Sequence, residues 1–182
     1  MRVITGTARG RKLVTLEGSD VRPTADRVKE ALFSILQFEL EGRQVLDLFA
    51  GCGQLGIEAL SRGAAHCTFV DASKASIAVV QQNLAATGLG KNATVQCADA
   101  LLFLNRTRAA FDIALLDPPY GKGLLQKALQ KLPEAMRDGG VIVCEAPREE
   151  QLPEEAGPFV LCRRYTYGKI SLAVYRRPEP EV

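Results

Sequence analysis

The sequence predicts an α/β fold: a Rossmann-like, doubly wound, mostly parallel sheet with a C-terminal antiparallel hairpin and a short basic N-terminal β-hairpin. Three observations lead there. Short apolar runs with β character alternate with amphipathic helical runs of about ten residues, the pattern of βαβ units. A glycine-rich G-x-G-x-x-G segment, Gly51 to Gly56, follows one such strand and opens a helix. The chain has 182 residues, 47% hydrophobic and 24% charged, an ordinary globular mix long enough to bury a real core.

The elements follow in order. Residues 2–5 and 12–16 are β-like runs around a Gly/Arg-rich turn and read as a hairpin. Thr24 can cap a helix and Asp26 suits its first turn, while Val28, Ala31, Leu32, Ile35 and Leu36 recur at helical spacing, so a helix is expected over 25–40. Gly42 stops it, and 44–49 is a strand running into the glycine segment and a helix to about Arg62. Strands follow at 67–70, 93–97, 111–116 and 141–145, separated by helices at 74–87, 100–106 and 123–136. Gly88 ends the first of these helices, and Asp138-Gly139-Gly140 turns the last helix into its strand. Residues 159–164 and 170–176 form a hairpin around Tyr167-Gly168, and the Pro- and Glu-rich stretch 147–158 reads as a surface loop.

Composition removes several function classes. The longest run without a charged residue is the 16 residues Ala75 to Gly90; it contains Ser76, Gln81, Gln82, Asn83 and Thr87 and is no membrane span. The opening MRVITGTARGRKL has no apolar segment of the kind that directs secretion, so a cytoplasmic location is expected. Five cysteines at wide spacings (Cys52, Cys67, Cys97, Cys144, Cys162) support neither a disulfide framework nor a metal clip, and read as small buried hydrophobes. The single histidine, His66, reads as structural, and no metal is expected. The net charge of +2 hides a local pattern. Arg2, Arg9, Arg11 and Lys12 crowd the first twelve residues without an acid, and Arg163, Arg164, Lys169, Arg176 and Arg177 crowd the last strands, again without one. Such stretches suit an anionic partner, nucleic acid first.

The glycine segment lets backbone approach a nucleotide-like ligand closely. Asp71, 20 residues beyond Gly51 at the end of the next strand, stands where a carboxylate accepts hydrogen bonds from ribose hydroxyls. Asp47 precedes the glycines by four residues and would repel a pyrophosphate, but suits the cationic amino and sulfonium groups of S-adenosylmethionine. Asp99 ends the third strand, within reach of an adenine amino group. The expected cofactor set is Asp47, Phe49, Gly51, Gly53, Asp71, Asp99 and Ala100. Asp117-Pro118-Pro119-Tyr120 ends the fourth strand beside this cleft. Two prolines fix the backbone and remove N–H donors, leaving carbonyl acceptors, and Asp117 adds a carboxylate. Acceptors on a rigid loop suit an exocyclic amino group, and the Tyr120 ring offers a surface for a planar base. These four are the expected catalytic residues.

At these residues the chain resembles a known family. LDLFAGCGQLGIEALSRGA (46–64) paired with DPPY (117–120) is similar to the amino-methylating, S-adenosylmethionine-dependent methyltransferases. Arg22-Pro23-Thr24 with Asp26-Arg27, after MRVITGTARGRKL, resembles the bacterial methyltransferases that modify a guanine N2 amino group in small-subunit (16S) ribosomal RNA. Cys52 and Gln54 stand where that family often has Ser and Ala, and Asp71 is followed by Ala72-Ser73 where a charged residue is usual. The resemblance implies a basic arm over 1–20, a methyltransferase domain over 21–182 and S-adenosylmethionine as cofactor. It also implies a ribosomal RNA or small-subunit particle as partner, a monomer, and RNA contacts from Arg9, Arg11, Lys12, Arg22, Thr24, Arg27, Arg163 and Arg164. Because DPPY is shared with adenine-N6 enzymes, an adenine-N6 methyltransferase on DNA or RNA stays open, as does an RNA-binding module without catalysis. A NAD-dependent dehydrogenase is weaker, since no acid/base set for hydride transfer is visible.

Overall fold

A computed structural model describes residues 1–16 and 25–179. It contains β1 (Gln44–Leu48), β2 (His66–Asp71), β3 (Ala93–Cys97), β4 (Phe111–Leu116), β5 (Met136–Pro147), β6 (Glu155–Ala156), β7 (Phe159–Tyr167) and β8 (Ile170–Arg176). The helices are α1 (Ala25–Ile35), α2 (Gln54–Ser61), α3 (Lys74–Thr87), α4 (Ala100–Arg106) and α5 (Leu124–Lys131), with short 3₁₀ turns at Gly90–Asn92 and Leu132–Ala135. One eight-stranded sheet runs in the order β3-β2-β1-β4-β5-β8-β7-β6. The first five strands in that order are parallel, and β8, β7 and β6 add antiparallel pairings. The doubly wound sheet with its C-terminal hairpin is therefore the one expected.

Period-two alternation explains the two layers. Val45, Ile113, Leu115, Val141 and Val143 face a core shared with α1, α2 and α3. Their neighbours Leu46, Leu48, Ala114, Leu116, Ile142 and Cys144 face the opposite core, shared with α4 and α5. Successive strand side chains point to opposite faces, so strands buried on both sides read as continuous apolar runs. Gly56 is needed for one such layer: a Cβ there would lie 2.3 Å from the Phe69 ring and 2.7 Å from Cys67 Sγ.

Several boundaries differ from expectation. The N-terminal hairpin is reduced to a single antiparallel bridge between Arg2 and Lys12, supported by Val3 N–H to Arg11 O at 2.9 Å and Leu13 N–H to Met1 O at 3.0 Å. What holds this arm lies outside it. Glu58, fully buried on α2, accepts from Ile4 N–H and Thr5 N–H at 2.9 and 3.0 Å. Ser61 Oγ donates to Thr5 O at 2.6 Å and accepts from Ala8 N–H at 2.9 Å. Asn83, fully buried on α3, accepts from Val14 N–H at 2.8 Å and donates to Val14 O and to Cys52 O, both at 2.9 Å. Helix side chains thus satisfy the backbone groups of Ile4, Thr5, Ala8 and Val14, while the arm's own turns and backbone bonds satisfy others. α5 stops at Lys131, with Pro133 at the start of the 3₁₀ turn that follows, because proline cannot donate within a helix. β5 begins at Met136, earlier than expected, and the 147–158 loop contributes β6, whose Ala156 is buried.

Candidate functional site

The sheet order reverses between β1 and β4, and the carboxyl ends of the strands there open onto a crevice, the usual ligand position in such sheets. A cavity of about 760 Å³ fills it. Three of its walls come from consecutive strand ends: Phe49 and Gly51 after β1, Asp71 to Ser73 after β2, and Ala98, Asp99 and Ala100 after β3. The fourth is the tetrapeptide Asp117 to Tyr120 after β4.

The loop after β1 turns sharply. Phe49 has φ +70°, the one positive φ outside glycine among the described residues, and Gly51 and Gly53 have φ +57° and +82°. A side chain held in that region is strained and is found where the fold overdetermines it. The determinants are two carboxylates. Asp71 accepts from Gly51 N–H through Oδ2 and from Ser73 N–H through Oδ1, both at 2.9 Å, and so ties the glycine turn to the end of β2. Asp47 accepts from Gly56 N–H at 2.9 Å and is only 1% exposed. Burial, reinforced by repulsion from Asp71 and opposed by the Gly56 bond, pushes the Asp47 carboxyl up to about 7. Asp47 and Gly53 therefore sit beneath the cavity and do not line it, whereas Phe49, Gly51, Asp71, Asp99 and Ala100 do. Asp99 caps α4, its Oδ1 accepting from Leu101 N–H and Leu102 N–H at 2.9 and 3.0 Å.

In the tetrapeptide, Pro118 is buried and Pro119 exposed. The Tyr120 hydroxyl donates to Glu145 Oε1 at 3.1 Å, tying the loop to β5. Sequence reasoning missed Glu145, and also Lys29, Cys52, Gln54 and Lys122, all of which line the cavity. Lys29 carried a readable signal: one residue from Val28 and three from Leu32, it falls on the apolar stripe of α1, where a lysine is out of place. It is 2% exposed, donates to Arg2 O at 2.8 Å and lies 3.8 Å from Glu58. Burial lowers its pKa against the pull of Glu58. Glu58 also pairs with Arg62 at 2.9 Å.

The cavity wall thus carries four carboxylates (Asp71, Asp99, Asp117, Glu145) against two lysines (Lys29, Lys122). That excess of acid, beside a glycine turn held open by Asp71, fits a ligand with a cationic centre and sugar hydroxyls, as S-adenosylmethionine has. No group of side chains suited to a metal occurs among the described residues, and no described helix is long and apolar enough to cross a membrane.

The described basic residues expected to meet RNA lie outside this wall. Arg9, Arg11 and Lys12 are exposed on the arm, and Arg27 on α1. Arg163 is exposed on β7; its neighbour Arg164 is engaged locally, with Ser171 Oγ at 3.0 Å and the carbonyls of Pro147 and Arg148 at 3.1 Å. Arg22 and Thr24 lie outside the described residues.

Known proteins are similar to this chain in sequence and fold. The Bacillus subtilis protein YlbH is 42% identical over 182 residues, covering 97% of this chain and 99% of its own. The Escherichia coli ribosomal RNA small subunit methyltransferase D is 36% identical over 179 residues, covering 97% and 90%. The solved Thermus thermophilus 16S rRNA N2 G1207 methyltransferase RsmC, in complex with AdoMet and guanosine, superposes with a TM-score of 0.73 at 27% identity, over 90% of this chain and 45% of that one. A family model described as Conserved hypothetical protein 95 matches residues 1–176. The chain belongs to that family, a homologue of the small-subunit ribosomal RNA methyltransferases with an S-adenosylmethionine-dependent methyltransferase fold.

Proposed function

We propose that this protein transfers a methyl group from S-adenosylmethionine to the exocyclic N2 amino group of a guanine in small-subunit ribosomal RNA. The observation that carries the reading is the placement of the Asp117–Tyr120 tetrapeptide on the same acidic cavity as the glycine turn, Asp71 and Asp99, with exposed arginines and a lysine outside it. When bound, the cofactor supplies an electrophilic methyl, whose C–S electron pair returns to sulfur as the N–C bond forms. Asp71 would hold the ribose hydroxyls and Asp99 the adenine amino group, while Asp47 acts from below as a positioning residue for the glycine turn.

Asp117 and the carbonyls exposed by the two prolines accept the amino N–H bonds of the base. That orients the nitrogen lone pair toward the methyl and stabilises the positive charge that develops on nitrogen. The Tyr120 ring stacks on the base, which must leave its stack to reach the cavity. The proton leaves nitrogen after transfer, so no strong base is required. Residues 1–20 serve as the basic arm and 21–182 as the catalytic domain. Arg9, Arg11, Lys12, Arg27 and Arg163 meet RNA phosphates, with Arg22 and Thr24 assigned to the same surface. The protein works as a cytoplasmic monomer.

The test is product analysis after incubation with labelled S-adenosylmethionine and small-subunit RNA or particles. N2-methylguanosine is expected; N6-methyladenosine, or no product from a protein that binds RNA, would replace this reading with another. Asp117→Ala should slow single-turnover methylation by roughly a hundredfold, with cofactor affinity within a few-fold, because the interaction strengthens in the transition state.

A further inference from the structure

The first residue of α2 carries an unmet demand. Gln54 lines the cavity immediately after the glycine turn, and its side-chain carbonyl oxygen, Oε1, is buried without a hydrogen-bond partner. Buried acceptors in native proteins are almost always paired, and an exception calls for a missing partner. Donors of the glycine turn and its neighbouring helix already have partners. Gly51 N–H goes to Asp71, Gly56 N–H to Asp47, and the Asn83 amide to Val14 and Cys52.

The missing partner must be a donor, since Oε1 only accepts. A ligand whose ribose meets Asp71 lies against Gly51, because the same carboxylate holds the Gly51 N–H. Gln54 is three residues further along that turn, so it faces the part of the ligand beyond the ribose. In S-adenosylmethionine that part is the amino-acid tail. Its carboxylate has no donor to offer; its α-ammonium has three. The partial positive charge at the start of α2 opposes an ammonium there, and a carbonyl oxygen between them offsets that field.

We infer that Gln54 is a specificity residue for the cofactor's amino-acid tail, accepting a hydrogen bond from the α-ammonium through Oε1. The inference rests on the proposed cofactor, and its test separates the two. S-adenosylhomocysteine and methylthioadenosine share the adenosine and the thioether, but only the first has the tail. Both are titrated calorimetrically against the wild-type protein, Gln54→Met and Gln54→Ala, and each free protein is melted.

Gln54→Met keeps the side-chain volume and removes the orphan carbonyl. It should weaken S-adenosylhomocysteine binding by roughly ten- to a hundredfold, the scale of one hydrogen bond to a charged group. Methylthioadenosine binding should stay within twofold, and the free protein should melt no lower than wild type. Gln54→Ala should show the same selectivity. Equal losses for both ligands, or no loss for either, would overturn the assignment, as would a fall in melting temperature together with unchanged selectivity. A wild-type protein that binds neither ligand would instead overturn the proposed cofactor.

Discussion

Asp71 holds two backbone groups with one carboxylate and, on the proposed function, a cofactor hydroxyl as well. Its oxygens already hold the backbone of Gly51 and Ser73, and each oxygen has a further lone pair for a ligand hydroxyl. Asp71→Ala should weaken S-adenosylhomocysteine binding by about 1–3 kcal/mol, toward the upper end because the glycine turn loses its anchor as well. Calorimetry that found the affinity unchanged would remove Asp71 from the site. Asp47 works from the opposite side of the same turn. Its folded pKa, about 7, lies above the ordinary 3.8, so between those values the folded protein holds the proton more tightly than the unfolded chain. Stability attributable to Asp47 is therefore present at low pH, declines as pH rises from about 4 to about 7, and changes no further above that. Asp47→Asn keeps an acceptor for Gly56 and cannot ionise. Its melting temperature should gain on wild type between about pH 5 and pH 8. A difference independent of pH would mean that Asp47 ionises as readily in the fold as outside it.

Glu58 decides whether the arm stays on α2. It is fully buried, accepts two arm N–H groups, and is the counter-charge for both Lys29 and Arg62. Glu58→Gln leaves Lys29 buried without its carboxylate, a situation that costs about 3–5 kcal/mol. A lower melting temperature is expected, with faster proteolysis confined to residues 1–16. Proteolysis spread evenly along the chain would show that Glu58 supports the whole domain instead. The arm is also where sequence reasoning fell short. The strands and helices of the sheet were legible because each has a period of its own. α3 and its Gly88 stop, β3, α4 and β4 fall where periodicity and glycine chemistry place them. The arm has no such period, because Glu58, Ser61 and Asn83 supply its hydrogen bonds from more than 50 residues away. The cavity was legible for the same reason in reverse. Asp71, Asp99 and Asp117 were legible as acids at strand ends beside the glycine segment, whereas Glu145, at the end of the expected fifth strand, and Gln54, inside the glycine segment, were placed by the sequence but not recognised as facing the cavity.

Across the whole molecule the charges are sorted. Acids dominate the cavity, and the arm outside presents exposed Arg9, Arg11 and Lys12. On the proposed function, a cationic cofactor and a polyanionic partner would thus be drawn to different places. Replacing Arg9, Arg11 and Lys12 together by Ala should weaken RNA binding. It should also flatten the dependence of its logarithm on log salt by roughly one per lost phosphate contact, about three in all. S-adenosylhomocysteine affinity should not follow. An unchanged slope would show that the arm's charges stay clear of the RNA backbone.

The Asn83 clamp also imposes an order in time. Val14 is held by a side chain 69 positions later, and Ile4 and Thr5 by one more than 50 positions later. On a ribosome the arm is made before α2 and α3, so none of these partners exists until those helices have emerged. At about 5–20 residues per second, Val14 waits several seconds for Asn83. During that interval the arm, although made earlier, is still one of the unfinished parts. It remains a basic, unpaired stretch of chain until the glycine turn and the helix behind it have formed, and docking it closes both the arm and the cofactor loop through the same buried amide.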